Sequence, residues 1–531
     1  MIIKIISLSA IFLTLSGCVG TGDSSSTENG LPIDTTITAP STDATLSNLI
    51  LSSGTLSPAF ASSVTSETAT VSYATSTLTV TPTVNQSNAI VTVNGIAVSS
   101  GAASGPISLN VGSNTITVLV TAQDSSSTQS YTITITRASA SSDATLSNLI
   151  LSSGSFSPTF VSSTASYTAT VSSATSSLTV TPTVNQSNAT VTVNGTAVSS
   201  GVASGSISLD VGSNTITVLV TAQDGSTTQS YTFTMARTAP GSTWTARATT
   251  SSWYGIASSS DGTKLVATIN NGNIYTSIDS GVTWTARDSS RNWRLVASSS
   301  DGTKLVATVY GGGYIYTSTD SGANWTAQTA AGGRNWVGVA SSSDGTKLVA
   351  GAFGGYIYTS TNSGTSWTEQ TAAGTGNWIG ITSSSDGTKF VAAKNGGYLY
   401  TSTDSGATWT ARVTDSNRSW YGVASSSDGT KLVATHEGGY IYTSTDSGAN
   451  WTARATSTTR SWEGVASSSD GKYLVAAVYN GNIYTSTDYG ATWTAQTASG
   501  SRSWIPVASS SDGTKLVAGM FGSGQIYTSA D

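Results

Sequence analysis

Charged residues are few in this 531-residue chain: Asp, Glu, Lys and Arg together make up 9%. There is also only one cysteine and one histidine. A lone cysteine forms no intramolecular disulfide, and with a lone histidine it builds no Cys/His metal cluster. No metal and no cofactor are therefore expected. The net charge of −6 is unevenly placed. Between Cys18 and Pro240 two basic residues, Arg137 and Arg237, stand against nine acidic ones, whereas the segment beyond balances eighteen against eighteen. No basic patch rises from this pattern, which argues against a nucleic-acid partner. What the chain has in abundance is Ser, Thr, Gly, Ala and Val. That mixture is too polar for a membrane bundle and too rich in Val, Ile, Tyr and Trp for disorder. It suits pleated sheets joined by tight turns, an all-β class, and the length calls for several domains.

Lys4 precedes an apolar run that ends in Leu15-Ser16-Gly17-Cys18. A charged start, a short apolar stretch and small residues make a secretory signal over residues 1–17. The run is too short for a spanning helix with proper flanks. The tetrad resembles the lipobox of bacterial lipoproteins, and the only cysteine of the chain stands in it. The resemblance implies lipidation of the Cys18 thiol and cleavage before it, so that the partner at this end is the membrane. Val19 rather than Asp follows, which in such lipoproteins favours the outer membrane, with surface exposure as one outcome. Residues 18–42 hold Gly, Ser, Thr, Asp and Pro without apolar periodicity and read as a flexible tether.

The segment starting Asp43-Ala44-Thr45-Leu46 recurs one hundred residues later at Asp143-Ala144-Thr145-Leu146, and the match runs to Arg137 and Arg237. Tyr131, Ile133 and Ile135 alternate with threonines, a half-buried strand pattern. Asn94-Gly95 and Asn194-Gly195 sit where hairpins require positive φ. The pattern predicts two antiparallel β-sandwiches, over 43–138 and 143–238. Leu-x-x-Leu near the start, Ser157-Pro158-x-Phe160 and a later Val-Gly-x-Asn-Thr-Ile-Thr-Val resemble the bacterial cadherin-like β-sandwich family. One departure is Glu67, where the second copy has Tyr167. The scattered Asp43, Asp124, Asp143 and Asp224 do not make a calcium site. These domains read as spacers, with adhesion as the alternative.

From Trp244 onward a unit repeats about every 42 residues, the length of a propeller blade. Its opening tryptophans are Trp253, Trp293, Trp336, Trp378, Trp420, Trp462 and Trp504. Each unit parses as four strands. The last unit lacks its final strand, and the segment opens with an orphan Gly241-Ser242-Thr243-Trp244. Residues 241–531 are therefore expected to form a seven-bladed β-propeller closed by its N- and C-terminal strands, which hides both edges. The Ser-x-Asp-x-Gly-x-x-Trp motif resembles the Asp-box of BNR-type propellers. Its acidic position is held by Asp279, Asp320, Asp404, Asp446 and Asp488, by Asn362 in a variant, and by Asp531 in a box shared with Trp244. A short carboxylate there bonds its own turn, Gly takes positive φ and Trp caps the hairpin, so these positions are structural.

Asp-box propellers include sialidases, β-glucan hydrolases, sortilin-type receptors and a photosystem II assembly factor, and fold alone does not choose among them. The Arg-Ile-Pro motif of sialidases is absent. Arg291, Arg334, Arg418, Arg460 and Arg502 recur two residues before an opening Trp, and repetition suits architecture or a multivalent rim more than a catalytic triad. Glu437 and Glu463, the carboxylates a glycosidase would draw on, read as surface-loop residues. The lone His436 has no nucleophile motif beside it. No catalytic residue is assigned, and a non-enzymatic binding or adhesion protein is expected, with a sialidase-like glycosidase or an assembly factor as alternatives. One face, formed by the turns between strands two and three and by the segments leading into strand one, is where the repeats differ. Tyr254, Arg294, Tyr310, Phe353, Lys394, Tyr421, His436, Tyr479 and Phe521 stand there with the repeated arginines, a composition favoured at recognition sites. The expected partner is a glycan or a protein, and the expected state is a monomer. The opposite face repeats Ser-Ser-Ser-Asp-Gly-Thr-Lys and reads as solvated.

Overall fold

In a computed structural model of the chain, residues 39–454 and 458–529 are described. The signal segment, Cys18, most of the tether and Asp531 lie outside the described residues. Two units divide after Ala140.

The first unit is a β-sandwich. Gly112–Thr121 and Thr128–Arg137 pair antiparallel over ten residues, and the threonine alternation works as expected: Tyr131, Ile133 and Ile135 are fully buried. Ile90–Val93 and Ile96–Val98 extend the sheet through the hairpin Asn94-Gly95, where φ is +48° and +80°. Both positive angles match the twist of the flanking strands. On the other edge Ser66–Val71 joins Thr128–Arg137 in parallel, so this sheet is antiparallel except at one pair. Leu46–Leu51, paired with Val80–Val84, closes the core from the opposite side. The second copy, which opens the second unit, repeats these pairings strand for strand from Leu146–Leu151 to Thr228–Arg237.

The rest of the second unit is the propeller. A representative blade runs Trp462–Ser467, Leu474–Val478, Ile483–Ser486 and Thr494–Gln496, each strand antiparallel to the last. The opening tryptophans are fully buried in all seven blades. Each meets the tyrosine of the third strand edge-on, as in Trp336–Tyr358 at 5.0 Å and 77°; truncating such a ring to alanine costs about 3–5 kcal/mol. The ring closes as the complementary ends foretell: Thr245–Ser251 adds to Gly524–Ser529 as the fourth strand of the last blade, with Thr245 opposite Thr528.

A second closure was not foreseen. The Ser-Ser-Ser-Asp-Gly-Thr-Lys turns carry a circular belt of backbone hydrogen bonds. The amide of Ser260 donates to the carbonyl of Ser300, and the chain passes through Ser343, Ser385, Ser427 and Ser469 to Ser511, whose amide donates back to Ser260, each bond 2.7–2.8 Å. Lysines reach across the same seams, as Lys347 Nζ does to the Asp386 carbonyl at 2.8 Å. The sameness of this face therefore has a structural cause beyond solvation, since each turn must fit its neighbour. In the other hairpins Asp279 Oδ1 accepts the Thr283 amide and the Ser277 hydroxyl, each at 2.8 Å, and Trp284 Nε1 donates to the Gly281 carbonyl. These bonds, led by that of the Thr283 hydroxyl, hold the Asp279 carboxyl down at about 2. Asn362 serves equally, accepting the Ser366 amide at 2.9 Å.

Candidate binding face

In every blade the ladder between strands one and two shifts register just after the opening tryptophan. Such a bulge re-aims a side chain. Here it turns the next residue away from the inter-blade layer and toward the central channel. Tyr254, Val337, Ile379, Tyr421 and Ile505 line it in this way, and Arg294 and Glu463 hold the same position in their blades. Two positions further on, Ile256, Val296, Val339, Ile381, Val423, Val465 and Val507 line the channel below them with apolar groups.

The last residue before each turn between strands two and three forms the rim. These are Asn270, Tyr310, Phe353, Asn395, Glu437, Tyr479 and Phe521. The Tyr310 amide, for instance, donates to Asn292, the residue before an opening tryptophan, and Phe353, Glu437, Tyr479 and Phe521 repeat that bond. Phe353 and Tyr479 stay 40% and 37% exposed, unusual for rings of that size.

Rim and channel residues meet in a continuous arc. Phe521 lies edge-on to Tyr254 with centroids 6.3 Å apart. The Arg294 guanidinium carbon sits 4.5 Å from the Tyr254 ring and 4.7 Å from the Tyr310 ring. Tyr310 then meets Phe353 edge-on at 6.1 Å. Across the channel stand Tyr421 and Glu463. Burial pushes the Glu463 carboxyl up to about 8, helped by the charge of Glu437 and opposed by the Tyr421 hydroxyl. Burial likewise raises Tyr421, with Tyr254 and Glu463 adding to it and Arg294 opposing, so these four side chains share one field. Glu463 is 6% exposed and its Oε2 has no hydrogen-bond partner. This corrects its reading as a surface-loop residue, because at the bulge it is buried beside Tyr421. Glu437 does stand exposed on the rim.

Other members of the predicted face are turned elsewhere. Lys394 and His436 each precede a rim residue by one, and strand alternation sends them to the opposite side of the pleat. Lys394 Nζ lies 5.7 Å from the Trp378 ring and donates to the Thr375 carbonyl at 2.9 Å. There it replaces the arginine that blade four lacks, Gly376 standing in that position. His436 packs edge-on against Trp420, accepts the Tyr440 amide at Nε2 and engages the Glu437 carbonyl through Nδ1. Arg291, Arg334, Arg418, Arg460 and Arg502 lie over the third-strand tyrosines at 4.6–5.3 Å. Their repetition is architectural, a cation–π clamp in each of these five blades. The signal that separates the two groups is parity along the strand, together with the bulge.

The opposite face meets the second sandwich. Arg237 is buried and its Nη1 approaches the Tyr473 hydroxyl at 3.4 Å, while Lys472 pairs with Asp210 at 3.5 Å. Lys472-Tyr473 replaces the Thr-Lys of the other turns. In the first sandwich the ring of Tyr73 covers the matching Arg137 at 4.9 Å. The second copy has Ser173 at that place, and a tyrosine from the propeller approaches the arginine instead.

Among curated proteins no sequence matches this chain. Three solved structures show the range of its likenesses. YCF48 from Cyanidioschyzon merolae has a TM-score of 0.44 at 17% identity, over 54% of this chain and 98% of that one. A streptogramin B lyase has 0.44 at 16%, over 53% and 94%. A GH74 xyloglucanase from Xanthomonas campestris has 0.41 at 15%, over 54% and 53%. Residues 41–138 and 142–238 each match the family model of the cadherin-like beta sandwich domain.

Proposed function

We propose that this chain is a lipid-anchored, cell-envelope binding protein whose propeller presents the channel mouth to a glycan or protein. The sandwiches serve as spacers. The observation that carries the reading is the arc Phe521–Tyr254–Arg294–Tyr310–Phe353, an aromatic and cationic surface on the one face where the blades differ. Aromatic rings with arginine are the side chains that dominate binding energy at interfaces. The contacts of the second sandwich fall on the opposite face. The lipobox-like Leu15-Ser16-Gly17-Cys18 supports the anchor, and the Ser-Asp-Gly-Trp hairpins support kinship with Asp-box propellers. Replacing Tyr310, Phe353 and Tyr479 together by alanine should abolish binding to bacterial or host surfaces while the chain stays folded. Each position is rim rather than core, so circular dichroism should be unchanged. Undiminished surface binding by that triple variant would refute the reading.

A further inference from the structure

The channel along the propeller axis holds a cavity of about 150 Å³. Every blade contributes to its wall, which has two tiers: Val337, Ile379 and Ile505 above, and a ring of valines and isoleucines such as Val339, Ile381 and Val465 below. Among the described residues, no charged side chain lines it. The backbone offers little to water either. At the bulges the carbonyls of Arg294, Val337 and Glu463 accept the hydroxyls of Thr268, Thr308 and Thr435, each from the preceding blade. A buried water needs about two to four polar partners, and an apolar space without them stays dry. The ring does not collapse onto this void, because seven blades and the belt of serine turns fix its width. An unfilled space strips its walls of dispersion contacts, which a fitting molecule restores. An apolar cavity of about this volume admits a molecule of roughly six carbons.

The upper tier also carries the only polar side chains of the lining, Tyr254 and Tyr421, both half-buried. Burial raises Tyr421 and Tyr254 adds to it, so the two phenols act on one another and stay neutral. We propose that the channel is a binding site for one straight alkyl chain with an uncharged hydroxyl or carbonyl head. The chain lies between the two tiers and the head meets Tyr254 and Tyr421. The tiers stand two residues apart along each first strand, about 7 Å, so the space has depth along the axis and suits a chain more than a flat ring. A charged head would lose its water without finding a counter-ion in this wall. A phenol hydroxyl both donates and accepts, which serves an alcohol or a carbonyl.

This site is separate from the rim. Tyr310, Phe353 and Tyr479 do not line the cavity, so uptake of a chain does not depend on the rim being a recognition surface. The variant that replaces those three residues by alanine should therefore bind the chain as wild type does.

Calorimetric titration of the full chain with a series of straight 1-alkanols, from butanol to nonanol, tests this. Saturable binding at one site is expected, about fourfold tighter for each added methylene until the cavity is full and level beyond it. Octanoate and octylammonium should bind on the order of tenfold or more weaker than octanol. Val339→Phe, which puts a ring into the cavity, should abolish binding of octanol. Should that variant fail to fold, Ile381→Ala, which enlarges the space, should move the plateau to a longer chain. The alkanol series and the comparison of heads use the wild-type chain and decide without either variant. An affinity that climbs with length and never levels marks adsorption to the surface and overturns the proposal, as does the absence of saturable binding. Octanoate binding as tightly as octanol overturns the uncharged head. Tighter binding of benzyl alcohol than of hexanol overturns the chain in favour of a ring. Loss of octanol binding in the Tyr310/Phe353/Tyr479 variant moves the site to the rim and overturns its place in the channel.

Discussion

In the core of the first sandwich Glu67 is fully buried, and neither carboxylate oxygen has a partner. The second copy places Tyr167 there, stacked on Phe233 at 5.6 Å with its hydroxyl donating to the Val161 carbonyl. Burial raises the Glu67 carboxyl above its ordinary value. The folded state thus holds a proton that the unfolded state releases from about pH 4.5 upward. Stability linked to this residue is fully present below that pH and declines as the pH rises through the elevated folded value. Glu67→Tyr should raise the stability of this sandwich at pH 7 by about 1–3 kcal/mol and flatten its dependence between pH 5 and 7. Calorimetric unfolding of the chain at the two pH values checks both. The contrast with Glu463 is instructive. Both are buried glutamates with unpartnered oxygens, but Glu67 lies in a sandwich, where burial alone raises it, and Glu463 in the propeller beside Tyr421, under the charge of Glu437. Sequence marks Glu67 as odd because the second copy offers a comparison. For Glu463 there is no such signal, since the position after each tryptophan varies freely.

At the scale of the element, the bulge after each opening tryptophan does two things. It points one residue into the channel, and it brings the next against the neighbouring blade. That next residue is glycine in five blades, with Leu295 and Pro506 in the others. A Cβ on Gly338 would come within 2.9 Å of the Ile379 carbonyl and of the Ile381 side chain. Gly338→Ala should therefore destabilise the propeller by about 1–3 kcal/mol through overpacking, seen as a lower denaturation midpoint without loss of strand signal. Blade count, hairpin chemistry and closing strand are legible in sequence because each rests on local periodicity and turn residues. The bulge is not, because a one-residue register shift leaves no mark on composition. Lys394 and His436 were expected on the face for that reason: their neighbours in sequence, Asn395 and Glu437, hold the rim positions.

For the molecule, the joint between the second sandwich and the propeller sets which face the second sandwich occupies. The Lys472–Asp210 pair is exposed and worth little, about 0–1 kcal/mol. The approach of Tyr473 to the buried Arg237 is the more consequential contact, since it stands in for an internal tyrosine of the first copy. Restoring the common turn with Lys472→Thr and Tyr473→Lys should loosen the joint without changing ligand affinity at the mouth. Faster limited proteolysis near residues 238–242, with unaltered binding, is the expected result. Reduced binding with no change in proteolysis would place the sandwich contact in the recognition path instead.

The sequence by itself determined the all-β class, the two sandwiches, the seven blades and the ring closure, because repeats and turn residues encode local geometry directly. Only the tertiary structure decided which side chains converge. Arg294 and Glu463 lie 169 positions apart by number, and a closed ring brings both into the field of Tyr421. The repeated arginines, conspicuous in the sequence, are taken up by the blades as cation–π clamps. Strand parity and ring closure, which act between distant residues, made that division.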